Sequence, residues 1–225
     1  MALLIAAALV WIGIHIGVAG TRLRSVIASR IGEGMFRLAF SALSIVAIGF
    51  LVGAFRAAPT IALWYAPLWL RWVLAAAMLP AFVLFVASVS ARNPTMIGGG
   101  ATTTEAARGI QRITRHPMLW SFALWAAVHV LGNGDSAAIV FFGAFLITAL
   151  AGMPSIDAKL AHHNPAAWQA LSPATSIMPF AAIAEGRNRF VASEIGWMTP
   201  LIAVVVWAAL LYLHQWLFGS APVSL

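Results

Sequence analysis

Six apolar stretches, near residues 2–20, 37–57, 67–90, 112–132, 136–154 and 197–218, constrain this chain more than any motif in it. A helical run of about 20 residues rises about 30 Å, the thickness of the hydrocarbon layer of a bilayer. The chain is therefore expected to be all-α: a polytopic transmembrane helix bundle of about six spans, forming a single domain over residues 1–225. Composition agrees, since 62% of the residues are hydrophobic and only 8% are charged, too few to cover a soluble fold of this size. The fourth stretch is drawn from Arg112 because the fully apolar part after Pro117 is too short alone; Pro117 is expected to bend the helix or open its buried portion. The first stretch has no basic residue ahead of it and arginines after it, the pattern of a retained span rather than a cleaved leader.

The net charge of +7 would suggest nucleic acid as a partner of a soluble protein. Here the cations sit in short segments between apolar runs, where they act as topology determinants, and nucleic acid is discarded. Arg22, Arg24, Arg30 and Arg37 follow the first span, Arg92, Arg108, Arg112 and Arg115 the third, and Lys159, Arg187 and Arg189 the fifth; only Arg56 and Arg71 fall on the other side. Positive-inside bias then places these basic segments in the cytoplasm and both termini outside it. Trp64, Tyr65, Trp69 and Trp72 cluster at the outer end of spans two and three, as an interfacial belt would. Residues 92–111, with Gly98, Gly99 and Gly100 followed by three threonines, read as a flexible connection, and residues 155–196 as a cytoplasmic or interfacial segment.

Chemistry has few places to reside. Cysteine is absent, which excludes disulfides, a thiolate nucleophile and covalently attached c-type haem. No GxSxG, HExxH, P-loop or dinucleotide fingerprint is present. The six carboxylates, Glu33, Glu105, Asp135, Asp157, Glu185 and Glu194, all fall at span ends or in loops, so an intramembrane relay of acids is not expected. Histidine remains. A titratable group inside a membrane span costs several kcal/mol unless paired, so each one asks for a partner. Counting rise per residue puts His15 roughly 20 Å in from the outer face and His129 roughly 20 Å in from the inner face, both in the middle part of the bilayer. Gly13, Gly17 and Gly20 surround the first, and Ser121, Ala123, Ala126 and Ala127 precede the second. Such small residues permit close approach of a flat cofactor gripped between two imidazoles, or simply of neighbouring helices, with each histidine bonded to a carbonyl or hydroxyl. Spacing alone leaves both readings open. His116 sits at the boundary beside three arginines, His162 and His163 in the polar segment, and His214 near the outer end of span six.

The segments IHIGVAGTRLR (14–24), GIQRITRHPMLW (109–120), ALWAAVHVLGNGD (123–135) and TSIMPFAAI (175–183) resemble the NnrU family of bacterial membrane proteins, and through it zeta-carotene isomerases of the same superfamily. The resemblance spans nearly the whole chain. It implies a bacterial inner-membrane protein carrying haem b, with iron between two histidines, and a redox-gated cis-trans isomerisation of a polyene. The HxGxAxxR pattern assigns one axial ligand to His15, and the histidine thirteen residues beyond that of RHP assigns the other to His129. These would be both the metal ligands and the catalytic residues. Arg115 and His116, at the inner boundary, are expected to pair with haem propionates or with lipid phosphates. A further histidine of the isomerases falls near Thr148 here and is unmatched. The NnrU name carries an association with nitrogen-oxide metabolism in denitrifying bacteria, so the expected ligand is a carotenoid-like apolar substrate or nitric oxide, besides the lipid bilayer.

Two other classes compete. RHP followed by a helix, and then a cytoplasmic segment with a tryptophan, also resembles S-adenosylmethionine-dependent membrane methyltransferases. Those usually continue RHPxYxG, where this chain has Trp120 and Ser121 in place of the tyrosine-glycine pair. A cofactor-free membrane assembly factor is the third class.

Overall fold

The computed structural model describes residues 1–90 and 107–223, and these are helical, with no strand among them beyond an isolated bridge between Ala62 and Asp135. The first helix, α1 (Ala2–Ile12), continues as a wider π-helical turn, Gly13–Val18, before α2 (Leu23–Ile31) turns away by 75°. Then come α3 (Glu33–Ala57) and α4 (Leu68–Ser90). A 3₁₀ turn, Gly109–Arg112, leads to α5 (Pro117–Asn133), α6 (Ser136–His163), α7 (Pro165–Leu171), α8 (Ala181–Ala184), α9 (Ala192–Ile195) and α10 (Met198–Phe218). Of the flexible connection expected over residues 92–111, residues 92–106 lie outside the described residues, and its end enters the 3₁₀ turn Gly109–Arg112.

Four helices, α3, α4, α6 and α10, are long and apolar enough to cross a bilayer, and α1 with its π turn and α2 makes a fifth candidate if the bent pair is one span. The remaining expected span is α5, and it is shorter than 112–132 suggested. Its 17 residues rise about 25 Å. Pro117 is the reason: it occupies the first helical turn, where its missing N–H costs nothing, and it pushes His116 to an extended φ of −119°. Span five errs the other way. Instead of ending near residue 154, α6 runs through Pro154 to His163, which puts Asp157 on a helix rather than in a loop.

Small residues set the packing. Ala7, Ala8, Ala54, Ala126, Ala137, Ala138 and Ala144 form much of the main core with Leu4, Trp11, Leu51, Phe141 and Phe142. Their lack of bulk lets helix backbones approach closely where no aqueous hydrophobic effect drives association. Ile45, Val46, Val205 and Trp216 turn large apolar side chains outward, the face a bilayer would cover. The helices neighbour one another in the order α3, α1, α6, α5, α4, α10, so α6 lies between the N-terminal helices and the α5–α4–α10 group.

Each end is tied. At one, Gly134 takes φ +68° to close α5, and the Trp64 backbone N–H donates to its carbonyl at 3.1 Å. A Cβ on Gly134 would lie 2.2 Å from the Trp64 oxygen, so only glycine admits this turn. The Trp64 indole also donates to Leu131 O at 2.9 Å, giving this expected interfacial anchor an internal role as well. At the other end, Ser155 and Lys159 of α6 donate to the Gly20 and Ala19 carbonyls just past the π turn.

Candidate functional site

His15 and His129 repeat one local design. Each follows a tryptophan by four residues, Trp11 and Trp125, and each places Nδ1 against that residue's carbonyl oxygen, at 2.9 Å for His15 and 2.7 Å for His129. A carbonyl only accepts, so Nδ1 carries the hydrogen in both rings. The neutral imidazole then presents Nε2 as a lone pair, and neither Nε2 makes a hydrogen bond among the described residues. A backbone acceptor on the far nitrogen is how proteins fix the tautomer and orientation of a metal-ligating histidine. His15 gains further freedom from the π turn that carries it, a helical irregularity frequent at functional sites.

The two rings do not touch. Trp11 stacks on His15 with ring centres 3.9 Å apart, and Trp125 lies 5.2 Å from His129. Phe145 of α6 meets both tryptophans, at 4.9 Å and 5.3 Å, so the three rings form a layer between the histidines. One turn away on α6, Phe142 stacks on His129 at 4.7 Å. Phe40 of α3 closes the His15 side at 5.4 Å. His214, expected as an interfacial side chain, lies 6.3 Å from His129. The Trp11 indole Nε1 is buried without a hydrogen-bond partner among the described residues, an orphaned donor in an apolar layer. Thr148, where a further histidine was unmatched, returns its hydroxyl to Ala144 O.

Arg115 and His116 face inward, onto Asp157. Arg115 Nε lies 2.9 Å and Nη2 2.6 Å from Asp157 Oδ2, while His116 Nε2 lies 2.8 Å from Oδ1. His116 is 2% exposed, so its imidazole is enclosed by the protein. The Arg115 guanidinium also donates to Thr175 O at 3.1 Å and lies 5.3 Å from the Trp168 ring. This cluster begins a strap. Thr114 Oγ1 and Trp120 Nε1 donate to Ile177 O, and Phe180 N donates to Ile113 O, so residues 175–180 lie against residues 113–120. Phe180 holds a left-handed φ of +65° there, unusual for an aromatic residue. Farther along, Arg112 Nε and the Gly109 amide both donate to Glu194 Oε2 at 2.7 Å. The hydrogen bond from Arg112, with that from Gly109, holds the Glu194 carboxyl down at about 2, and the same contact raises Arg112.

Sequence reasoning passed over Asp157, Trp11, Trp125, Phe145 and the nearness of His214. The doubled Trp-x₃-His spacing was the visible signal for the tryptophans. For Asp157 there was none, because Pro154 read as the end of a span.

Among curated proteins, 15-cis-zeta-carotene isomerase, chloroplastic, of Zea mays is 37% identical over 81 residues, which cover 36% of this chain and 22% of that protein. The isomerase of the same name from Arabidopsis thaliana is 35% identical over 80 residues, with the same 36% and 22% covered. The matched part thus spans 22% of the length of these relatives. No solved structure matches. The profile of the NnrU protein family, by contrast, aligns with residues 3–222, from the first turn of α1 to the tail beyond α10, and the chain belongs to that family.

Proposed function

We propose that this chain is a haem b protein of the bacterial cytoplasmic membrane, with His15 and His129 as iron ligands and an isomerase-like activity on a carotenoid-like polyene. One observation carries the reading: two histidines set in apolar segments, on different helices, are locked by the same Nδ1-to-carbonyl hydrogen bond with Nε2 left as a lone pair. That donor set suits a bis-histidine haem b, in which two neutral imidazoles hold the iron. The partial similarity to the maize and Arabidopsis isomerases supports the substrate class. When bound, the group would supply an iron able to polarise a double bond or take a diatomic ligand.

The chain's own residues do the rest. The Trp11 and Trp125 carbonyls orient the two imidazoles, and Phe141, Phe142 and Phe145 exclude water around them. The Arg115–His116–Asp157 cluster fixes the start of α5 against α6, and with it the height of His129. Because Asp157 engages both RHP side chains, they are paired inside the protein rather than offered to the carboxylate of S-adenosylmethionine, the role a methyltransferase would give them. Nitric oxide as the ligand draws on one further observation. The unpartnered Trp11 N–H beside His15 is a donor that a diatomic with an acceptor atom uses and a hydrocarbon does not.

The test is spectroscopic. Protein purified in detergent should carry haem b that is low-spin and six-coordinate when oxidised. His15→Ala and His129→Ala should each change the spin state or empty the site, while His162→Ala, exposed at the end of α6, should do neither. Unchanged spectra in both ligand variants would falsify the assignment. Reduced protein incubated with cis-zeta-carotene, and separately with nitric oxide, distinguishes the isomerase from the gas-binding protein.

A further inference from the structure

At the end of the bundle where Trp64 meets Gly134, one cation lacks a counter-charge. Arg71, the fourth residue of α4, donates from Nε to Ala66 O at 3.0 Å, and its guanidinium carbon stands 5.5 Å from the centre of the Tyr65 ring. Those contacts hold the side chain in place. They occupy one of its three nitrogens, and neither Nη has an acceptor among the described residues. No carboxylate answers it there: the first turn of α4 has none, and Asp135, at the same end, is engaged by Ala138 N as the cap of α6.

Arg71 lines a recess of about 340 Å³ together with Tyr65, Leu68 and Ala221. Ala221 reaches it because the tail turns back. Gly219 takes φ +76° to end α10, His214 Nδ1 donates to Ser220 O at 2.6 Å, and Val223 beyond is buried. The Tyr65 phenol makes no hydrogen bond among the described residues, so it offers the recess a second donor. A planar fork of N–H donors matches phosphate oxygens in both shape and charge. With one cation in the lining, the match in charge is to a phosphodiester, which carries a single negative charge, whereas a phosphate with one ester or none ionises further. The neighbours of Arg71 in sequence add the apolar part of the ligand. Trp69 and Trp72 are 67% and 41% exposed, and outward-facing indoles at a helix end mark the headgroup level of a bilayer.

We propose that Arg71 and Tyr65, walled by the tail at Ala221, form a phosphodiester site that holds the headgroup of one phospholipid. The bound lipid ties the tail of α10 to the start of α4, at the end of the bundle away from the Arg115–Asp157 cluster. The site is independent of the haem reading.

The full chain in detergent is titrated with phosphatidylglycerol, with dioleoylglycerol, which has no phosphate, and with sodium phosphate, and bound lipid is counted by native mass spectrometry. Wild type should keep one phosphatidylglycerol after weaker annular lipid is stripped, should keep no dioleoylglycerol, and should not release the phospholipid to sodium phosphate. Arg71→Gln should weaken that binding by about tenfold or more, through lost charge-assisted hydrogen bonds. Arg56→Gln, a cation of the same end outside the recess, should leave it unchanged. Ala221→Leu fills the recess without altering the guanidinium and should weaken binding likewise, which supplies the comparison if Arg71→Gln elutes as aggregate. Equal affinity in wild type, Arg71→Gln and Ala221→Leu overturns the proposal. Preference for sodium phosphate over the phospholipid also overturns it, as does an equal loss in Arg56→Gln, which would reduce the effect to general surface charge.

Discussion

Asp157 accepts hydrogen bonds from Arg115 and His116 at once, and its side chain is only 9% exposed. Removing one member of a buried charge cluster leaves the others desolvated and unpaired, at a cost of about 3–5 kcal/mol. Asp157→Ala should therefore lower the thermal unfolding midpoint in detergent far more than Asp135→Ala, which loses only a helix cap. Equal midpoints for the two variants would discount the cluster. Arg115→Ala separates two roles for that arginine: a propionate clamp predicts loss of haem, whereas pairing with Asp157 predicts lower stability with haem retained. At this scale the sequence showed His15 and His129, because a histidine inside an apolar run is conspicuous. It could not show their acceptors, since a carbonyl four residues back is offered to every helical residue. Only the rotamer, held here by an adjoining tryptophan, decides whether the imidazole takes it.

Among the elements, the strap over residues 174–194 is the one least legible beforehand. It contains no long apolar run, and its pieces are held through backbone atoms that composition does not report: the Ile177, Ser176 and Ile113 carbonyls. Asn188 closes it with bonds from Nδ2 to the Arg112 and Ala174 carbonyls. Its far end rests on Glu194, whose depressed pKa fixes the sign of a pH effect. A carboxyl held below its unfolded value stabilises the fold above that value, and the stabilisation disappears as pH falls through the folded one. For Glu194 the window runs from 4.5 down to about 2. The Arg112–Glu194 pair is partly exposed, so the loss should be about 1 kcal/mol or less, confined to this end of the strap. The protection factor of the Gly109 amide, its exchange rate taken relative to that of an unstructured amide at the same pH, should fall across that window, and Glu194→Gln should show the lower protection already at neutral pH. A Gly109 protection factor that is flat from pH 5 to about 2 would remove Glu194 as the clasp. The long helices, by contrast, were readable to within a few residues wherever apolar runs ended in charge or glycine. Prolines misled in both directions, Pro117 by starting α5 late and Pro154 by failing to stop α6.

For the whole molecule, the contacts and the charges give the same answer by independent routes. The stretch after the π turn, the RHP segment, the end of α6 and the strap are tied together through Lys159, Ser155, Asp157 and Thr175, so they share one end of the bundle. Arg22, Arg24, Arg112, Arg115, Lys159 and Arg187 belong to that end. The opposite end joins the α3–α4 loop to the α5–α6 turn through Trp64 and Gly134 and carries Arg56 and Arg71. Since cations close to span ends resist translocation, the first end should be cytoplasmic. Six crossings, counting the 17-residue α5 as one, would then return the C-terminus to the side of the N-terminus, which is expected outside. A periplasm-dependent reporter such as alkaline phosphatase should be active when fused after Gly219 and silent when fused after His163. The converse pattern would invert the orientation. Activity at both sites would instead mean that α10, the one long helix between them, does not cross, and the count of six spans would fail.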